Sequence, residues 1–235
     1  QTIGLDADEE IIGTYAFNSL KEKGNFLIAT DQGHVKQTAL DDMKPGRTYK
    51  SHAYTYEKLK NADERVVAIH YLPNPEDAGQ LLLISNHGLA LRYGIDEVPV
   101  NGGRTTGVKS IALRGEDKVA NLQLVNDQSV LAIVTQRGAF KKLAIKEVPV
   151  TSRARKGVMI LRELKSNSHR IVDFCTIESE DQPLEVRTDH RKIHDILPAD
   201  YSLGGRYSNG SFVIDVDSEG TPVSIRPKFV DLSID

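Results

Sequence analysis

Apolar and polar residues alternate in short runs along the chain, and the runs come in pairs joined by a polar turn. Phe26-Leu-Ile-Ala-Thr-Asp-Gln-Gly33, Leu83-Ile-Ser-Asn-His-Gly88, Ile133-Val-Thr-Gln-Arg-Gly138 and Val186-Arg-Thr-Asp-His-Arg191 share one form, an apolar strand ending in a tight turn. Their last residues lie 55, 50 and 53 positions apart. A second run follows the turn in each of the first three copies: His34-Val-Lys-Gln-Thr-Ala-Leu40, Leu89-Ala-Leu-Arg-Tyr-Gly-Ile95 and Ala139-Phe-Lys-Lys-Leu-Ala-Ile145. Two strand-like runs around two polar residues and a Gly predict a hairpin whose last turn position takes positive φ. Arg191 lacks glycine's freedom there, which predicts a looser fourth hairpin.

The register continues past the hairpin. Val98-Pro99 matches Val148-Pro149, and Gly107-Val108 matches Gly157-Val158, each pair 50 apart. An acidic-apolar element also recurs, as Ala7-Asp-Glu-Glu-Ile-Ile12, Ala62-Asp-Glu-Arg-Val-Val67 and Glu116-Asp-Lys-Val119. No amphipathic helix of convincing length interrupts the series. Four short strands per unit of about fifty residues predict an all-β, propeller-like fold of four-stranded blades. The expected units are 25–79, 80–129, 130–182 and 183–235, with 1–24 as the final strand of a preceding blade. Such a chain reads as an excised piece of a longer repeat array.

Composition narrows the possibilities little. The chain has 235 residues with 39% hydrophobic and 27% charged, ordinary values for a folded protein. One cysteine, Cys175, excludes an internal disulfide and a cysteine-built zinc site. Apolar runs are too short to form a membrane helix, and no leader pattern opens the chain, so a cytoplasmic location is expected. The net charge is −3, but it is unevenly placed: −4 over residues 1–135, +8 over 136–170 and −7 over 171–235. A basic segment between acidic flanks suggests a local anion-binding surface, or else a solvated lysine-rich face.

The pattern of an apolar strand, Thr-x-x-Gly, a basic strand, Glu-Val-Pro, an Arg/Gly loop and Gly-Val resembles the carboxy-terminal β-pinwheel repeats of type IIA bacterial topoisomerase A subunits. Thr135-Gln-Arg-Gly-Ala-Phe-Lys-Lys142 with Ser152-Arg-Ala-Arg-Lys-Gly-Val158 carries the resemblance most closely. The resemblance covers residues 1–182 better than 183–235. Ile160-Leu-Arg-Glu-Leu-Lys165 and the opening Gln1–Ile12 are similar to the Gram-positive topoisomerase IV branch, whose domains imply six blades. The Gln-Arg-Arg-Gly-Gly-Lys-Gly box of gyrases is missing. Its nearest pieces are Asn101-Gly-Gly-Arg-Thr-Thr-Gly107 and Ser152–Gly157, a departure that argues against strong DNA wrapping.

The resemblance implies a non-catalytic domain without cofactor or metal. It would bind and bend double-stranded DNA for ATP-dependent strand passage, and its partners would be the B subunit, plus the remainder of the A subunit. The nucleophilic tyrosine belongs to an upstream domain of such proteins, so none of the eight tyrosines is expected to be catalytic. The expected DNA contacts are Arg153, Arg155 and Lys156, then Lys141, Lys142, Arg137, Arg162 and Lys165, with Arg104, Lys109, Arg92, Lys36, Arg47 and Lys50 in other units. Phosphate contacts need cations on one face rather than a particular sequence. Lys141 and Lys142 pose a difficulty, because adjacent strand residues point to opposite faces. A strand exposed on both faces would resolve it.

Two other functional classes stay open. A protein-interaction propeller could dock an acidic partner on the basic face, and a propeller enzyme could use a central channel, although no convergent acid/base set is visible. Several motifs are set aside. His190 and His194 are about 13 Å apart if they lie on one strand, too far to share a metal. Asp215-Val-Asp-Ser-Glu-Gly220 opens like a calcium loop, but Arg226 stands where the bidentate Glu should be, and a hairpin turn is expected instead. Asn101–Gly107 has no helix after it to complete a nucleotide loop. Cys175 reads as a buried apolar residue.

Overall fold

The computed structural model describes residues 9–19, 21–42 and 57–229. Fifteen short strands, one α-helical turn and five single turns of 3-10 helix make up the regular elements of the described residues. The strands and the α-helical turn run β1 (Asn25–Thr30), β2 (His34–Ala39), β3 (Val66–Leu72), β4 (Gln80–Ser85), β5 (Leu89–Gly94), β6 (Val108–Lys109), β7 (Val119–Val125), β8 (Val130–Thr135), β9 (Ala139–Ala144), β10 (Val158–Met159), β11 (Ile171–Thr176), β12 (Leu184–Thr188), β13 (Ile193–Ile196), β14 (Ser211–Phe212), α1 (Val216–Glu219) and β15 (Pro222–Pro227). They build four small sheets arranged as the blades of a pinwheel, so the fold is all-β as the repeat predicts.

The sheet orders are β3-β1-β2-β6, β11-β8-β9-β14, β13-β12-β15 and, for the second blade, β10-β5-β4-β7. The last long strands of the units, β3, β7, β11 and β15, contact one another in sequence and form the inner side. The central strands β1, β4 and β8 are buried along their length and mainly apolar, whereas β12 of the fourth blade carries Glu185 and an exposed Arg187. Leu81 and Leu83 point into the cluster shared with Leu27, Ala29 and Leu122, while Leu82 and Ile84 point into the next, with Leu131, Ile133 and Phe174. Ala132 and Val134 face a third cluster with Leu184, Val186 and Ile225. The core is therefore a series of layers between blades, and each blade is stable only against its neighbours.

The short Gly-Val strands do not complete the sheet of their own unit. β6 pairs with β2, β10 with β5 and β14 with β9, so each unit gives an edge strand to the sheet before it. Glycine is needed where this strand arrives. A Cβ on Gly157, at φ +78°, would stand 2.3 Å from the Ala90 carbonyl oxygen. The blades thus interlock across all three boundaries between the expected units, at 79/80, 129/130 and 182/183.

Three local expectations are corrected. Arg191 adopts φ 61°, and its N–H bonds Thr188 O at 2.9 Å, the same distance as Gly138 N to Thr135 O. The fourth hairpin is as tight as the others, because the closing turn outweighs the modest cost of a left-handed Arg. Asp215–Gly220 is a helical turn rather than a hairpin turn, with the Asp215 side chain accepting from Asp217 N as an N-cap. In the described part of residues 1–24 no strand forms. Tyr15 and Phe17 instead pack edge-on against Phe26 and Tyr71 at 5.0–6.5 Å between ring centroids.

Candidate nucleic-acid interface

The cations of the second strands do not reach solvent. β9 is covered on both faces, which settles the Lys141–Lys142 difficulty in the opposite sense to an exposed strand. Lys36, Arg92, Lys141 and Lys142 are 0%, 3%, 1% and 7% exposed. A buried cation must be paired or fully hydrogen-bonded, and each of these is. Lys36 Nζ donates to Thr105 O at 3.0 Å and stands 3.6 Å from the Glu57 carboxylate. Lys142 pairs with Glu180 and donates to Pro198 O and Tyr201 O at 3.1 and 3.0 Å. Arg92 pairs with Asp127 and reaches Val148 O. Lys141 Nζ donates to the carbonyls of Ile160, Arg206 and Ser208, and burial brings its amine down to about 8.

These contacts repeat with the units. Gln37, Arg92 and Lys142 occupy one position, and each donates to a carbonyl of the short turn in the following unit, Val98, Val148 or Tyr201. Lys36 and Lys141 likewise reach the following unit's rim loop, at Thr105 and Ser208. The four cations are inter-blade struts, and as such they leave the candidate surface. The reason they mislead is physical: a lysine in an alternating run has the same sequence signature whether its amine meets water or a carbonyl.

The accessible cations lie in the loops before the exchanged strands, on β6 and just after β10. Arg104, Lys109, Arg155, Lys156, Arg162 and Lys165 are exposed. Arg104 holds φ +64° at the loop tip. Main-chain bonds tie the loop 151–157 against residues 109–112: Ala154 N to Ser110 O at 2.8 Å and Ala112 N to Arg155 O at 2.9 Å. Arg153 is half-buried and serves this junction. Its N–H bonds Glu97 Oε2 at 2.8 Å, and its guanidinium donates to Lys109 O at 2.7 Å. Arg155 and Lys156 line an open hollow of about 280 Å³ with Ala90, Pro149, Thr151, Gly157 and Val158. The two cations flank a hollow otherwise lined mainly by apolar side chains and backbone. The main chain joins the segments that carry Lys109, Arg153 and Arg155, with Lys156 next in sequence.

Arg137 lies elsewhere, at the β8–β9 hairpin tip, where it donates to Asn167 O at 2.8 Å and covers the Phe212 ring at 5.4 Å. Arg170 forms a two-pronged pair with Glu163 at 3.1 and 3.2 Å. The +8 segment is consequently less basic at its surface than its count. Arg47 and Lys50 fall outside the described residues. Arg206 and Tyr207 are further rim residues that charge counting does not mark, although Gly204-Gly-Arg206 repeats Gly102-Gly-Arg104. Cys175 is buried, which pushes its thiol up to about 12. His194 sits on β13 beside Glu219 at 3.5 Å.

Comparison with known proteins decides the lineage. The DNA gyrase C-terminal domain, beta-propeller, family model matches residues 79–126 and 129–174. A solved C-terminal domain of DNA topoisomerase IV superposes with a TM-score of 0.85 at 36% identity, covering 95% of this chain and 67% of that one. The chain belongs to the family of topoisomerase IV and gyrase A C-terminal domains. A solved DNA gyrase A C-terminal domain shares the fold at a TM-score of 0.80 and 21% identity, covering 97% of this chain and 73% of that one. The A subunit of DNA topoisomerase 4 from Streptococcus pyogenes serotype M1 is 34% identical over 237 residues, covering 93% of the chain. That of Bacillus subtilis (strain 168) is 34% identical over 225 residues, covering 95%. The chain spans only 28% and 27% of these two proteins. Among the described residues, no helix is long and apolar enough to cross a membrane.

Proposed function

We propose that the domain binds duplex DNA along its rim and bends it, as part of the A subunit of a topoisomerase IV. The observation that carries this reading is the junction of two successive rim segments, where Ala154 N bonds Ser110 O and Ala112 N bonds Arg155 O, beside the exposed Lys109, Arg155 and Lys156. The domain itself does no bond chemistry in this reading. It presents a segment to the strand-passage machinery of the full A subunit with its B partner in decatenation and supercoil relaxation, near the nucleoid, and holds no cofactor or metal. Contacts to phosphate carry no base code, so binding is sequence-independent and favours DNA that bends easily. The few exposed cations in each unit support a limited contact rather than extensive wrapping. In a gel-shift assay the domain is expected to prefer a pre-curved duplex of about 150 bp, one persistence length, over a straight one of the same length. Equal affinity for the two would remove bending from the account, and binding only to a protein partner would replace it with docking.

A further inference from the structure

The fourth unit carries the strongest acidic excess, which would place it off a DNA path. Its rim loop is different. Leu203–Gly210 contains no acidic residue and presents Arg206 and Tyr207. Tyr207 is 60% exposed, with the Arg206 guanidinium 5.0 Å from its ring centroid. The loop is anchored to the basic segment rather than to its own unit. Gly204 N bonds Lys142 O at 2.7 Å. Lys141 Nζ holds Arg206 O and Ser208 O, both at 2.8 Å, and Ile160 O. Asn209 exchanges two bonds with the Arg162 main chain, at 2.9 and 3.0 Å. A buried ammonium saturated by three carbonyls fixes the loop far more tightly than solvent would.

We infer that the loop Leu203–Asn209 extends the DNA-contacting rim into the fourth unit, with Arg206 meeting phosphate, Tyr207 packing on sugar and base edge, and Lys141 positioning both from below. This inference rests on the DNA-binding reading. Its argument is continuity: Arg162 and Asn209 join this loop to the segment that holds Arg155 and Lys156, as Ala112 and Arg155 join the preceding pair. An amphipathic aromatic beside a guanidinium suits a surface that meets both phosphate and the groove wall. The acidic residues of this unit lie outside the loop in sequence.

The test compares binding of a duplex of about 150 bp, across a salt titration, by the wild-type chain and its variants. Arg206→Ala is expected to weaken binding about threefold and to reduce the salt slope by about 0.9, the release of one counterion. Tyr207→Ala is expected to weaken binding by a similar factor with the slope unchanged, because it removes no charge. Lys141→Met is expected to weaken binding by as much as the Arg206→Ala/Tyr207→Ala double variant and to add nothing to that loss in the triple variant, as a residue that positions both should. A further loss in the triple variant would overturn the positioning role. If Arg206→Ala and Tyr207→Ala both bind as wild type while Arg155→Ala/Lys156→Ala is weakened, the inference fails and the DNA-binding reading stands. If the wild-type chain binds no DNA, both fall. Tyr207 is exposed and Arg206 half-buried, and both lie outside the hydrophobic clusters, so their Ala variants decide the matter even if Lys141→Met does not fold.

Discussion

Replacing Arg155 and Lys156 together with Ala is expected to weaken duplex-DNA binding about tenfold and to reduce the salt slope by about 1.8, two phosphate contacts at about 0.9 each. The thermal midpoint is expected to stay within the range of ordinary surface substitutions. Both side chains are exposed, and Arg155 meets Ile111 and Ala112 only through its backbone. Isothermal or fluorescence titration at several salt concentrations, with a melting curve on the same sample, reads both. Arg153 is left out of this variant deliberately. Its guanidinium holds Lys109 O and its N–H the Glu97 carboxylate, so removing its side chain would mix loss of a contact with loss of the loop junction. An unchanged affinity would move the site away from this hollow.

The second large effect is expected at Asp173, far from the rim. Its carboxylate ties the inner strands of three blades together. Oδ1 accepts from Asn121 Nδ2 on β7 at 2.7 Å and from Phe174 N at 2.8 Å, and Oδ2 accepts from Ile225 N on β15 at 2.9 Å. Asp173→Ala leaves Phe174 N and Ile225 N without this acceptor and Asn121 Nδ2 with only the Phe174 carbonyl, at 3.4 Å, and a cost of about 3–5 kcal/mol is expected in denaturant unfolding. The site also titrates. Burial pushes the Asp173 carboxyl up to about 6, against the bonds that favour its charged form. A carboxyl whose folded pKa is raised binds its proton more readily when folded, so its charge is a burden above pH 6 that is relieved as the pH falls through 6. Relative to Asp173→Asn, the wild type should therefore gain on the order of 2 kcal/mol of stability between about pH 7.5 and about pH 4.5. The comparison with Asn removes other contributions. Burial lowers His70 and His169, which costs stability in the same acid range in both proteins. A constant difference across this range would remove the linkage.

Acid lability at lower pH has separate sources. Burial would raise Glu64, but hydrogen bonds from Thr30, His34 and Lys60 N hold it below the ordinary carboxylate range. Bonds from Arg170 and Arg187 do the same for Glu163 and Glu185. These depressed carboxyls contribute stability above their ordinary pKa and lose it as the pH falls through their lowered values.

The pinwheel was readable from the chain because its cause is periodic. A strand buried on both faces between blades must be apolar throughout, its hairpin must close on a residue with positive φ, and both recur about every fifty residues. The exchange of strands was not readable, since Gly157-Val158 has the same local pattern whichever sheet receives it. What selects the preceding sheet is the close approach of Gly157 to Ala90, a contact between units. The site was half legible. The cations Arg155 and Lys156 lie exposed in the loop the sequence marked, while Lys109, expected in a loop, ends the exchanged strand β6. Lys36, Arg92, Lys141 and Lys142 do not, because the carbonyls that satisfy them come from the following unit about sixty residues away, and no local window contains both partners. The alternation rule did mark the anomaly at Lys141–Lys142, but not which way it resolves. Arg206 and Tyr207 were hidden by the acidic average of their unit, which says nothing of one loop.

The central claim is that the rim meets DNA through phosphate. The most direct measurement is the affinity of the wild-type chain for a duplex of about 150 bp between about 50 and 200 mM salt. The account predicts a linear fall of log K with log salt, steep enough to count several phosphate contacts. An affinity that does not change over that range, or no binding at its lower end, would contradict it.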